Sequence, residues 1–379
     1  MRGPSSATAT ESLAIVLEGV GGPFSLRTFP IAAPTAGTAL LRVELCGICG
    51  TDGHIWEGRY PALLPGILGH EVVGTIASLG EGLTHDFSGQ ELYVGDRVVP
   101  RTFGCGRCYG CTVGRTGCSN SVGRGGYGTA GSDLAPYLTG GFAQYLAASL
   151  PFTALFKVDA PAHVAVLMEP LAAVVGGVDR AQIRLGETVV IQGTGAIGLL
   201  AVACARLAGA DRIIALGGPP DRLTLALALG ADVVIDVGRH CEPDERTRLV
   251  RVATPGGHGG DVVFGCVGSA AAVAEGLSYL AHFGRMCEIG NAADAGPATV
   301  NPAQALVGPN TTLFGHLHTP PEVWVTATRL LERCALPFDL IVTHRMPLPR
   351  VAEAVATIRE GRYELDSRQV GKVTVDPWA

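Results

Sequence analysis

Hydrophobic and polar positions fall into two textures along the chain. From about Leu13 to Lys157, short apolar runs are broken by Gly and Pro: ALLRVEL (39–45), VVGTIASLG (72–80), DRVVP (96–100) and FAQYLAA (142–148). That pattern predicts short strands joined by turns. After Glu169 the runs alternate with helical stretches. TVVIQ (188–192), RIIAL (212–216), DVVID (232–236), DVVFGCV (261–267) and RMCEIG (285–290) read as strands, and LLAVACARLAGA and AAAVAEGLSYLAHF as helices between them. Nearly continuous apolar strands alternating with helices predict an α/β domain whose doubly wound parallel sheet is covered on both faces. Around Gly315 the pattern becomes mixed again and runs to GKVTVDP, which predicts a return to the first domain. The expected division is residues 1–168 with 316–379 for the β-rich domain and 169–315 for the parallel-sheet domain.

Composition narrows the function classes. At 379 residues, 47% of them apolar, the chain is longer than one core usually holds and rich enough for two. The net charge of −6 comes without a basic block, so nucleic acid is not an expected partner. No apolar run reaches the ~18 residues of a membrane span, and the N-terminal stretch lacks a signal-peptide core. A cytoplasmic location is therefore expected. There the eleven cysteines read as metal ligands before they read as disulfides.

One glycine pattern sits where chemistry needs it. Gly193, Gly195 and Gly198 form G-x-G-x-x-G, after a predicted strand and before a predicted helix. In that context the first glycine makes the turn, the second admits a pyrophosphate, and the third lets helix and strand approach. Ala196 and Ile197 then lie in the first helical turn, where free N–H groups favour phosphate. Val267 and Ile289, at the ends of later strands, complete the expected cofactor-binding set. An NAD site usually carries an acid at the end of the second strand; here that place is Gly217. Without the acid a 2′-phosphate meets no repulsion and Arg222 can reach toward it, so NADP is expected to be tolerated.

Two groups of residues suggest metal. Cys105, Cys108 and Cys111 are spaced C-x2-C-x2-C and Cys118 follows, a set suited to a tetrahedral structural zinc. CGICGTDGH (46–54), GHE (69–71) and MEPLA (168–172) supply sulfur, nitrogen and oxygen donors of zinc type with room for a substrate. The residues alone leave open which of Cys46 and Cys49 is the ligand.

CGICGTDGH, GHEVVGTI, GDRVV, the four-cysteine lobe, GGFAQY, MEPLA, GTGAIG and GKVTV occur in an order that resembles the zinc-dependent medium-chain alcohol/polyol dehydrogenases, over nearly the whole chain. The resemblance implies a GroES-like catalytic domain and a Rossmann nucleotide-binding domain. It makes Cys49, 21 residues before His70, a catalytic zinc ligand with His70 and Glu169, and makes Cys46 a packed thiol. Glu169 in place of a cysteine is similar to the polyol branch, in which Glu71 sits beside the metal, directly or through water. The same resemblance makes Asp52 a carboxylate behind the ligand histidine. It implies that Thr51 contacts the substrate oxygen and that a proton leaves through Thr51, the cofactor ribose and His54. The lobe departs from the family in one respect: Cys111 and Cys118 are seven apart where eight is usual.

The expected activity is zinc-dependent hydride transfer between a secondary alcohol (polyol, cyclitol or nucleoside-like) and NAD or NADP. The reverse reduction of a ketone or aldehyde by NADPH is the alternative, and a nucleotide-binding relative without chemistry a more distant one. Substrate-pocket candidates are Ile55–Trp56, residues 123–131 and Asn291. His316 and His318, in GHLHTP, read as a solvent-facing loop. By the same resemblance the protein is expected to form a homodimer or homotetramer, with RMCEIG and the stretch after it as the joining sheet edge.

Overall fold

The computed structural model describes residues 9–104, 108–113, 126–133, 135–317, 319–333 and 335–379. They form two compact units. One comprises residues 1–167, 345–362 and 373–379, and the other residues 168–344 and 363–372.

The first unit opens with β1 (Glu11–Leu17), β2 (Phe24–Pro30) and β3 (Ala39–Gly47), followed by the short helix α1 (Gly50–Trp56). Next come β4 (Gly66–Ile67), β5 (Glu71–Leu79), β6 (Arg97–Thr102), α2 (Tyr109–Thr112), β7 (Tyr145–Ala148), β8 (Thr153–Lys157) and α3 (Ala162–Ala165). β1 is flanked by β2 and β4 in a small sheet. β3 pairs antiparallel with both β5 and β7. Gly- and Pro-containing turns separate most of these strands, although Gly74 lies within β5 and Pro100 within β6. The pairing that matters most for function is Gly47 opposite Glu71. It brings the end of β3, which leads into Cys49, beside the start of β5, which follows His70.

The second unit begins with α4 (Met168–Ala181), β9 (Thr188–Gln192), α5 (Ala196–Leu207), β10 (Arg212–Gly217) and α6 (Pro220–Ala228). It continues with β11 (Val233–Asp236), α7 (Pro243–Ala253), β12 (Gly260–Gly265), α8 (Ala270–Ser278), β13 (Leu280–Glu288), β14 (Thr312–Gly315) and α9 (Pro321–Arg333). The sheet order is β11-β10-β9-β12-β13-β14, and every pairing is parallel. All five residues of β9 are buried, as expected of a central strand covered on both faces.

Three expectations need correction. RMCEIG lies in an inner strand, and β14 forms the edge beyond it. The helix expected through residue 283 ends at Ser278, and β13 starts at Leu280 with an irregular register against β12. Residues 316–344 group with the parallel-sheet unit: α9 packs on α4, turning Val323, Trp324, Ala327 and Leu331 inward.

The chain then runs through β15 (Val342–Pro347), α10 (Val351–Arg359), the hairpin β16 (Glu364–Leu365) and β17 (Arg368–Gln369), and β18 (Lys372–Asp376). Thr374 and Val375 of β18 pair with Gly47 and Cys46 of β3. At the C-terminus Trp378 donates from Nε1 to Val43 O at 2.8 Å and lies 3.8 Å under the Arg42 guanidinium. No helix among the described residues is long and apolar enough to cross a membrane.

Candidate metal centre and nucleotide loop

Helix α1 organises the first site. Cys49 is its N-cap residue, with extended backbone, and Asp52 is the third residue of the helix. Asp52 Oδ2 accepts the Cys49 N–H at 2.8 Å, while Oδ1 accepts the Gly69 N–H at 3.3 Å. One fully buried carboxylate thus fastens the backbone of both segments that carry the candidate ligands. Its distance to His70 Nδ1 is 3.9 Å, longer than a hydrogen bond. Asp52 thus fixes the peptide that precedes His70 and places its carboxylate beside the ring.

The approach to His70 depends on a glycine. Gly69 has φ +86°, and a Cβ there would stand 2.7 Å from both Cys46 Sγ and the Phe142 ring. Cys46 is the thiol that fills this space, fully buried. Gly128 presses its backbone on Gly69 from the other side, with space for a Cβ closed to 2.9 Å. Of the expected pocket segment 123–131, residues 126–131 are described, and they lie against the strand entry that bears His70.

Cys49 Sγ, a His70 ring nitrogen and a Glu71 carboxylate oxygen lie within 4.8 Å of one another. Among the described residues this is the only such group. Glu71 is 1% exposed, and an ionised carboxylate buried this deeply favours a nearby cation. Sulfur, imidazole nitrogen and carboxylate oxygen fit zinc. Thr51 Oγ1 stands 3.5 Å from Cys49 Sγ. At the far end of α1, His54 Nδ1 lies 3.7 Å from Glu57 Oε2. Burial, and then the Arg59 charge, lower the His54 pKa against the opposing pull of Glu57, which keeps the ring neutral at neutral pH. Ile55 is buried, and Trp56 donates to Gly22 O at 2.9 Å beneath the Arg359 guanidinium, so this pair fastens α1 to its surroundings.

Asp52→Ala removes the acceptor shared by both ligand segments. We expect zinc affinity to fall by about 10–100-fold, read by chelator competition, with Asp52→Asn losing less because it keeps one acceptor.

Of the four lobe cysteines, Cys105 and Cys118 lie outside the described residues. Cys108 is the N-cap of α2 and Cys111 lies within it, their sulfurs 3.5 Å apart.

In the second unit the glycine turn has the shape its sequence implies. Gly193 has φ +105°, and its N–H donates to Leu216 O at 2.7 Å. Gly195 caps α5, and a Cβ there would meet no atom within 4 Å, which leaves an open approach to the helix N-terminus formed by Ala196 and Ile197. A Cβ on Gly198 would fall 1.8 Å from Gly193 O. This cradle fits a pyrophosphate. Val267 packs on Gly193, and Gly290, next to Ile289, packs on the Val267 backbone.

Thr194 carries a structural role that the glycine motif does not signal. Thr194 is buried, and its Oγ1 accepts the Gly218 N–H at 3.0 Å. A side chain at Gly217 would meet that hydroxyl at 2.1 Å. Arg222 donates from Nε to Val370 O at 2.8 Å and stacks on Tyr363, and burial lowers its pKa. Asn291 Nδ2 donates to Glu288 Oε1 at 3.0 Å, and burial raises the Glu288 pKa despite these bonds. His316, expected on a solvent-facing loop, is 6% exposed and its ring lies against Gly176 of α4; His318 is outside the described residues. A residue just past a strand end can turn inward when a neighbouring helix offers glycine, and α4 offers Gly176 and Gly177. Glu169 lies in the first turn of α4.

Comparison with known proteins agrees with this architecture. Residues 35–160 match the alcohol dehydrogenase GroES-like domain, and residues 196–333 match the zinc-binding dehydrogenase family. The chain is 32% identical to 5-exo-hydroxycamphor dehydrogenase of Pseudomonas putida, over 88% of this chain and 91% of that one. It is 30% identical to sorbitol dehydrogenase of Halalkalibacterium halodurans, over 90% and 94%. An alcohol dehydrogenase from Thermotoga maritima superposes with a TM-score of 0.84 at 28% identity, covering 97% of this chain and all of that one. The chain therefore belongs to the zinc-dependent medium-chain dehydrogenase/reductase family, oxidoreductases that use zinc and NAD(P) to interconvert alcohols and carbonyl compounds.

Proposed function

We propose that the protein oxidises a polyhydroxylated or cyclic secondary alcohol with NAD(P)+ as hydride acceptor. The observation that carries this reading is the convergence of Cys49, His70 and Glu71 donor atoms within 4.8 Å. In this reading Cys49, His70 and Glu169 hold the catalytic zinc and Glu71 stands beside it. The substrate class draws on the relatives that act on sorbitol and hydroxycamphor. Zinc held there supplies Lewis acidity that lowers the pKa of the substrate hydroxyl. The nicotinamide supplies the hydride acceptor.

The chain's own residues bind, orient and move the proton. Thr51 Oγ1, beside Cys49, orients the substrate oxygen and accepts its proton. His54, neutral because it is partly buried, takes the proton onward at the end of α1. Gly193, Gly195 and Gly198 hold the pyrophosphate against the start of α5. Cys105, Cys108, Cys111 and Cys118 hold a structural zinc. The protein acts in the cytoplasm as a homodimer or homotetramer. Exposed Phe283, Val307 and Leu313 on the β14 side of the parallel sheet favour an association there.

The experiment is nicotinamide reduction across secondary alcohols, polyols and nucleosides, with and without a strong chelator. Reduction with one class, lost on chelation, supports the proposal. With zinc and NADH both bound, reduction by none of them contradicts it. His54→Ala should lower kcat by about 10–100-fold, less than loss of a ligand, because water can replace an outer proton acceptor.

A further inference from the structure

The end of β10 lacks the acid that usually reads an adenosine ribose, yet a carboxylate stands one strand away. We propose that Asp236, at the end of β11, takes over that role and makes the enzyme prefer NAD(H) to NADP(H). The inference rests on the nucleotide reading of the Gly193–Gly198 turn.

Asp236 pairs directly opposite Gly217 in the parallel sheet. A Cβ on Gly218 would stand 3.8 Å from Asp236 Oδ1, so the carboxylate faces the backbone that follows β10. Its Oδ1 also accepts the Gly238 N–H at 2.9 Å, which holds the side chain in place. An acid at position 217 itself has no room, because Thr194 Oγ1 occupies its space. The negative charge has therefore moved to the neighbouring strand.

Two cations bear on a 2′-phosphate at this place. Arg222, in reach by sequence, is tied to the Val370 carbonyl and stacked on Tyr363. Arg239 has its Nε 3.4 Å from Asp236 Oδ2 and a side chain 79% exposed, so its charge is already balanced by the same carboxylate. A 2′-hydroxyl can donate to Asp236. A 2′-phosphate would face a fixed anion with only an exposed, already paired arginine to offset it.

The test is equilibrium fluorescence titration of the full chain with NADH and NADPH, for the wild type, Asp236→Asn and Arg239→Ala. The asparagine keeps the oxygen that accepts the Gly238 N–H. We expect the wild type to bind NADH at least about tenfold more tightly than NADPH, because a like charge at the contact is costly. Asp236→Asn should shrink that ratio about tenfold, chiefly by tightening NADPH. Arg239→Ala, which leaves the carboxylate uncompensated, should weaken NADPH further and leave NADH unchanged. A wild type that prefers NADPH, or a ratio that neither substitution moves, would overturn the inference while leaving the nucleotide reading standing. No NADH binding to the wild type would overturn both.

Discussion

Cys49→Ala and His70→Ala should each lower alcohol-dependent NAD(P)+ reduction by about a thousandfold or more, while NADH affinity stays at the wild-type value. The size follows from what a Lewis acid contributes: several kcal/mol of transition-state stabilisation, with each ~1.4 kcal/mol worth a factor of ten. The survival of NADH binding follows from where the nucleotide cradle is built. Gly193, Gly195, Gly198, Val267 and Gly290 all belong to the unit of residues 168–344, and their mutual packing involves neither ligand. A steady-state assay and an NADH titration on the same preparation separate the two effects. Turnover retained in both variants would contradict the assignment of these residues.

Gly198→Ala and Gly195→Ala should fail in different ways. At Gly198 the new methyl falls 1.8 Å from the Gly193 carbonyl oxygen, with the Ile191 side chain at 3.6 Å on the other side. Helix α5 must then move off β9, at a cost of about 1–3 kcal/mol for overpacking. The melting temperature should fall, and NADH binding should weaken severely because the turn loses its shape. At Gly195 the methyl meets nothing within 4 Å and the backbone is one any residue adopts, so the fold should be unaffected. The methyl projects into the space read as the pyrophosphate site. NADH affinity should therefore drop with no change in melting temperature. Equal melting temperatures for both variants would contradict the packing argument. Unchanged NADH affinity in Gly195→Ala would contradict the placement of the phosphates.

The parts legible in the sequence were those in which local pattern and chemistry coincide. β9 and β10 are continuous apolar runs that need cover on both faces, and their bounds agree with expectation to within a residue. The resemblance pointed to Cys49 and His70 as ligands, and the pairing of β3 with β5 brings the two segments that carry them side by side. What stayed hidden depends on contacts distant in sequence. Helix α9 was hidden in the mixed pattern after Gly315, and its apolar side is covered by α4. His316 is a polar residue after a strand, and only Gly176 on another helix makes room for its ring. Thr194 occupies a variable position of the glycine motif, so nothing in the motif indicated that its hydroxyl closes the space at Gly217. The resemblance makes Asp52 a carboxylate behind His70; what it does not indicate is that Asp52 also accepts the backbone N–H groups of Cys49 and Gly69, through the cap geometry of α1.

A metal held by Cys49 and His70 is the central requirement of the proposed chemistry. The direct measurement is zinc per chain, by elemental analysis of gel-filtered wild type, Cys49→Ala and Cys105→Ser. Each variant should lack one zinc relative to wild type, the first from the catalytic centre and the second from the cysteine lobe. A Cys49→Ala protein with the same zinc content as the wild type would contradict that requirement.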